Sequence, residues 1–228
     1  MRRLIVIILA FPFIAVANNI ETWNTVQVSK KIDNWTLNVS EESRIGVDQT
    51  QTTKKLDEFH TTVGASYALI SHFSLGIQDD YVLLRNGSDA RYRRDNRPGV
   101  NAAVHRDIKG FAFLNRSRFV IRDLEDERHY FRYRNLSKLM TPALCSCSFA
   151  KDIKLFSAYE WYFDEGSKDR CIRKNDKFCQ FWTDFGVNAR ISKCISIDLF
   201  YRLIEVKSAL SHDWSPGHAV CMSLNLTF

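Results

Sequence analysis

The chain has 228 residues, is 45% hydrophobic and carries a formal charge of +6. That length suits one domain, or at most two, and the apolar content excludes a disordered chain. A helical membrane protein is also excluded, because a single apolar run approaches spanning length, and it lies at the N-terminus.

That run covers residues 4–17, behind Arg2 and Arg3, and ends on Ala15, Val16 and Ala17. A basic start, an apolar stretch and small residues at the end form the pattern of a secretory signal peptide. Residues 1–17 are expected to be removed, leaving residues 18–228 as one domain. Cleavage takes Arg2 and Arg3 out of the charge balance.

The rest of the chain alternates with a period of two, the signature of strands with two different faces. Trp35, Leu37 and Val39 open the pattern. Phe59 with Val63 to Leu69, then Phe73 to Leu83, continue it. Val100 to Ile108, Phe111 to Ile121, and Phe131 with Tyr133 follow. Ile153 to Phe163, Phe181 to Ile191, Ile195 to Leu203 and Val220 to Phe228 complete it. Each segment runs about 10–14 residues, longer than the usual soluble strand of about 5–6 and sufficient for a transmembrane β-strand of about 9–11. The fold expected is all-β: an antiparallel, up-and-down transmembrane β-barrel of about 10 strands. Residues 25–30 offer a shorter further candidate. Bacterial barrels have even strand numbers. Either that segment does not span, or about 12 strands form and one is hidden near residues 140–150.

The connections sort by length. Those at residues 71–72, 109–110 and 192–193 are tight, whereas those at 48–55, 85–96, 164–179 and 207–216 are long and polar. Short periplasmic turns opposite long outer loops fit an outer-membrane barrel. The strands of a soluble sandwich alternate as well, but its loops do not sort onto two ends by length. Residues 140–150 are too many for a simple periplasmic turn.

With the apolar phase facing lipid, the other phase faces a lumen. It carries Glu42, Asp80, Asp107, Glu160, Asp184 and Asp198, with Arg44, Arg116, Arg118, Arg122, Arg132, Arg134, Arg190 and Arg202. Enclosed charges persist only when paired and hydrogen-bonded, and the planar guanidinium fork suits carboxylates. A salt-bridge ladder filling a narrow lumen is expected; a constriction whose excess arginines favour small anions is the sharper alternative.

The last strand places Val220, Met222, Leu224, Leu226 and the terminal Phe228 on one face. That ending looks like the signal outer-membrane barrels present to their insertion machinery, and implies a Gram-negative outer membrane. Trp23, Trp35, Glu42-Ser43-Arg44, Tyr67, Arg116-Ser117-Arg118, Arg132, Arg134, Glu160, Gly186, Tyr201 and Phe228 resemble, over nearly the whole mature chain, the bacterial family called domain of unknown function 2490. The resemblance implies a single outer-membrane β-barrel and brings no activity with it. The six cysteines depart from barrels of that class, which usually lack them.

In an exported chain those cysteines are expected to form disulfides. Cys171 and Cys179 are expected to pair as the staple of one long outer loop. Cys145, Cys147, Cys194 and Cys221 have no readable connectivity. No metal-spaced cluster or phosphate loop occurs, so neither metal nor cofactor is expected. Nucleic acid is not expected, because the arginines interleave with acids. The expected partners are outer-membrane lipid, the insertion machinery, and small anions or envelope proteins. The leading function is a structural or narrow-channel role without enzymatic activity. A surface adhesin acting through the long loops is the alternative. A lipid-modifying hydrolase built on His72 and Ser74 comes third.

Overall fold

The computed structural model describes residues 20–47, 54–85, 92–125, 129–165, 178–207 and 214–228. The signal peptide expected at residues 1–17, Cys171 and the tips of the long connections lie outside these. The described residues form eleven strands: β1 Ile20–Ile32, β2 Trp35–Val47, β3 Lys54–Ile70, β4 Phe73–Arg85, β5 Tyr92–Ile108, β6 Phe111–Leu124, β7 Tyr130–Met140, β8 Asp152–Glu165, β9 Phe178–Arg190, β10 Ile195–Lys207 and β11 Trp214–Thr227. They close into one barrel in sequence order.

The strand count corrects the expected ten or twelve. Residues 25–30 lie within β1, a full strand of 13 residues. Its alternation is weak in sequence because Thr22, Asn24 and Lys30 share the phase of Val26, Val28 and Ile32. Residues 141–151 supply no twelfth strand. They form a coil held by one isolated bridge from Cys145 to Ile153 and by reciprocal backbone bonds between Cys147 and Ala150. An odd number of up-and-down strands leaves the first and last pointing the same way. The closing pair is therefore parallel, with Ile20 beside His218 through Ser29 beside Thr227. The seam holds to the last residue: the Phe228 amide donates to the Ser29 carbonyl at 2.9 Å, and its own carbonyl accepts from Lys31 at 3.0 Å.

The connections divide as the lengths suggested. The turns at residues 33–34, 71–72, 109–110 and 191–194, with the longer segment 141–151, lie at one end, here the turn end. The long connections lie at the other. At the β5–β6 turn, Lys109 and Gly110 have φ of 51° and 85°, the positive values that the favoured two-residue hairpin needs to match strand twist.

The two faces carry opposite chemistry. Val39, Val63, Ile77, Val100, Phe119 and Phe185 are among the exposed apolar side chains outside, Ile77 at 65%. Asp80, Asp95, Arg122, Glu160, Asp164 and Asp184 are buried within. This inverts an ordinary soluble domain.

Candidate functional site

The lumen is built by register. Arg202 lies opposite Asp184 across β9 and β10, and Arg132 opposite Asp164 across β7 and β8. Direct neighbours on one face of an antiparallel ladder meet, so each arginine forks onto its acid. Arg202 reaches both Asp184 oxygens at 2.7 Å, and Arg132 both Asp164 oxygens at 2.6 Å.

These pairs belong to a plug that fills the half of the lumen nearer the long connections. Its centre is aromatic. Trp23 meets Trp182 edge-on at 5.1 Å, and Tyr162 packs on Trp182 at 4.7 Å. Arginines cover these rings: Arg44 lies 3.8 Å from the Trp23 centroid, Arg202 4.3 Å from Trp182, and Arg134 4.8 Å from Tyr162. Cations over ring faces gain from the ring quadrupole, most where water is displaced. Carboxylates balance their charge. Arg44 binds Glu42 at 2.7 Å and Glu58 at 2.6 Å, and Arg134 binds Glu160 at 2.9 Å. The Tyr162 hydroxyl donates to Glu160 at 2.8 Å, and His60 bonds Glu58 at 2.8 Å.

Nearer still to the long connections, Asp95 takes both Arg97, at 2.6 Å, and Arg122. Arg122 stacks over Tyr130 at 5.0 Å. Asp95 is 0% exposed, Asp164 1% and Tyr130 3%, so these groups pack tightly across this level of the lumen.

Below the plug lies a cavity of about 720 Å³ that reaches the turn end at Lys31, Asn34 and Ser71. Its wall carries Asn38, Ser40, Thr62 and Asn101 among many polar side chains. Each carboxylate lining it is matched by a cation. Besides the Glu42, Glu160 and Asp184 pairs, Asp80 accepts from Arg118 at 3.3 Å and Asp198 from Lys138 at 3.3 Å. Two lining cations remain outside these pairs: Lys31, exposed at the rim, and Arg116 within the wall.

The sequence-predicted charges therefore separate into levels. Glu42, Arg44, Arg134, Glu160, Asp184 and Arg202 meet in the plug, and Arg122 and Arg132 seal it. Arg116, Arg118 and Asp198 line the cavity. Arg190 is not in the lumen network: it is exposed at the turn-end rim, where β9 stops, and pairs with Asp152. Asp107, two residues short of its turn, is exposed likewise. Sequence reasoning missed Glu58, Asp95, Arg97 and Asp164, which flank the long connections and resemble loop residues. It also gave no lumen role to Trp23 or to Trp182; for Trp182 the available signal was the phase it shares with Asp184.

The expected pairing of Cys171 with Cys179 involves Cys171, which lies outside the described residues. Cys179 is 3% exposed, and its sulfur donates to the Tyr162 carbonyl at 3.6 Å. It sits within β9 in the cluster with Trp23, Tyr162 and Trp182. Cys221 is a free thiol buried in that cluster; Cys145, Cys147 and Cys194 are free and exposed. His72 is bonded by the Ser71 hydroxyl at 3.1 Å, while Ser74 lines the cavity; no hydrogen bond joins the two. Val220, Met222, Leu224 and Leu226 lie beside outward residues of β1 along the seam, and Phe228 is 65% exposed.

The family model described as protein of unknown function (DUF2490) matches residues 20–211. The chain belongs to this family. In this DUF2490 protein the matched span covers β1 to β10, with the plug and most of the cavity wall, and stops before the closing strand β11. No curated protein matches the chain.

Proposed function

We propose that this DUF2490 protein is a structural barrel of the bacterial outer membrane with a blind lumen, sealed towards the cell surface and open to the periplasm. The observation that carries the reading is an apolar outer wall around a lumen stopped by paired charges. Exposed apolar surface of this extent marks contact with lipid or protein. It encircles a closed barrel, the sheet form in which every backbone group can be satisfied in hydrocarbon. Strands of 11 to 17 residues meet the span of about 9–11 that a bilayer requires.

The signal-like N-terminus and the ending on Phe228 support export and handling by the insertion machinery. Short connections at the turn end support its assignment to the periplasm. The expected narrow channel is not favoured, since Asp95, Arg122, Tyr130 and Asp164 are buried across the lumen near the long connections. No enzymatic role is proposed, because His72 and Ser74 form no hydrogen-bonded pair and have no orienting third group. The adhesive alternative depends on connections outside the described residues.

Planar-bilayer recording tests the blind lumen. The folded protein should give no sustained conductance, whereas Tyr130→Ala combined with Arg122→Ala should admit ions. Steady steps from the unaltered protein would refute the seal. Absence of heat-modifiable gel migration would refute the membrane barrel.

A further inference from the structure

We infer that the cavity at the turn end binds a small oxyanion, held by the Arg116 guanidinium. This rests on the blind-lumen reading, because a one-ended cavity retains a ligand where a pore passes it.

Arg116 is set apart by its surroundings. Its register partners are Ala103 on β5 and Leu136 on β7, and neither side chain can accept a hydrogen bond. Arg202 and Arg132 face acids at the equivalent positions. The two facing positions thus offer Arg116 no acceptor, and among the described residues it makes no ion pair or hydrogen bond with a side chain. It nevertheless lines the cavity and is only partly exposed.

A partly enclosed guanidinium without a carboxylate is a site for one. Its fork binds a carboxylate or phosphate through two parallel bonds, and such charged hydrogen bonds are the strong ones. The surroundings favour an anion further. Each acid of the cavity is bonded to another cation, so Glu160 and Asp80 reach Arg116 only through space, and uncommitted Lys31 adds positive charge at the rim. Trp182, which lines the ceiling, has an indole N–H with no acceptor. Asn101 and His105 flank Ala103 on the same face and also line the cavity. A volume of about 720 Å³ accommodates a small organic acid or a phosphorylated metabolite.

The test is calorimetric titration of the folded barrel in detergent with sodium phosphate and, separately, sodium succinate, at ionic strength fixed with sodium chloride. Saturable binding of phosphate alone assigns phosphoryl ligands, and of succinate alone carboxylates. In either case Arg116→Gln should weaken it about tenfold or more. Arg116→Gln removes no protein–protein bond, so its heat-modifiable migration should be unchanged. Leu136→Glu is the second variant: it places a carboxylate opposite Arg116 and should also weaken binding about tenfold. Absence of saturable binding to either anion, or a smaller loss in both variants, overturns the inference. Conductance is read separately, so a silent, anion-indifferent barrel would refute the site and leave the blind lumen standing.

Discussion

Replacing Asp184 by Leu strips the Arg202 guanidinium of its fork partner. Both bonds measure 2.7 Å, and the two side chains are 13% and 9% exposed. Breaking a buried pair by removing one member costs about 3–5 kcal/mol, because the remaining charge stays out of water without compensation. Arg202 borders the water-accessible cavity and keeps its ring contacts to Trp182 and Trp23, at 4.3 and 4.9 Å. The expected loss therefore lies at the low end, about 3 kcal/mol. With a urea slope of about 3 kcal/mol per molar, the midpoint falls by about 1 M. Arg202→Met alone strands Asp184 and should cost a similar amount. The double variant removes both charges and should lose about 1 kcal/mol or less. The assay is urea unfolding in detergent, followed by tryptophan fluorescence and by gel mobility. Additive losses in the double variant would refute the claim that the plug is held by paired charges.

Gly186→Ala should be destabilising by about 1–3 kcal/mol, because a Cβ there would stand 2.4 Å from the Phe200 Cβ and 2.5 Å from the Leu199 carbonyl. Gly217→Ala, whose nearest neighbour is 3.5 Å away, should be tolerated; equal melting of the two variants would refute the contrast. The parallel seam predicts that Val26→Cys and Leu224→Cys, register partners in β1 and β11, cross-link within one chain on oxidation, in a background with the native cysteines replaced by Ser. Failure to cross-link in a heat-modifiable barrel would show that the seam is elsewhere. A membrane-impermeant maleimide should modify Cys145, Cys147 and Cys194 in the folded barrel and spare Cys179 and Cys221 until it unfolds, as read by peptide mapping. Labelling of the first three on intact cells would place the turn end at the surface and overturn the proposed orientation.

The barrel was legible in the sequence because strand geometry puts alternate residues on opposite faces. Val63, Ala65 and Tyr67 against Thr62, Gly64 and Ser66 already separate an outer wall from a lumen. Loop lengths sorted the two ends for the same local reason, since a tight hairpin is written in residues such as Lys109 and Gly110. Most of the lumen charges could be named in advance. Asp95, Arg97 and Asp164 could not, because a residue at a strand end beside a long connection has no periodic neighbours to assign its phase.

Chain-local pattern thus determined the fold class, the apolar exterior and the arginine-rich interior. Tertiary structure alone decided three things. The strand count is odd, because whether residues 20–32 pair depends on the arrival of β11 some 200 residues later in register. Cys179 and Cys221 come together in the aromatic cluster with Trp23 and Trp182, because β9 and β11 carry them in from distant parts of the chain. Arg116 is left without a carboxylate, because its neighbours across the ladder are Ala103 and Leu136. Each depends on which residues of distant strands lie side by side, and the alternation within one strand holds no record of that register.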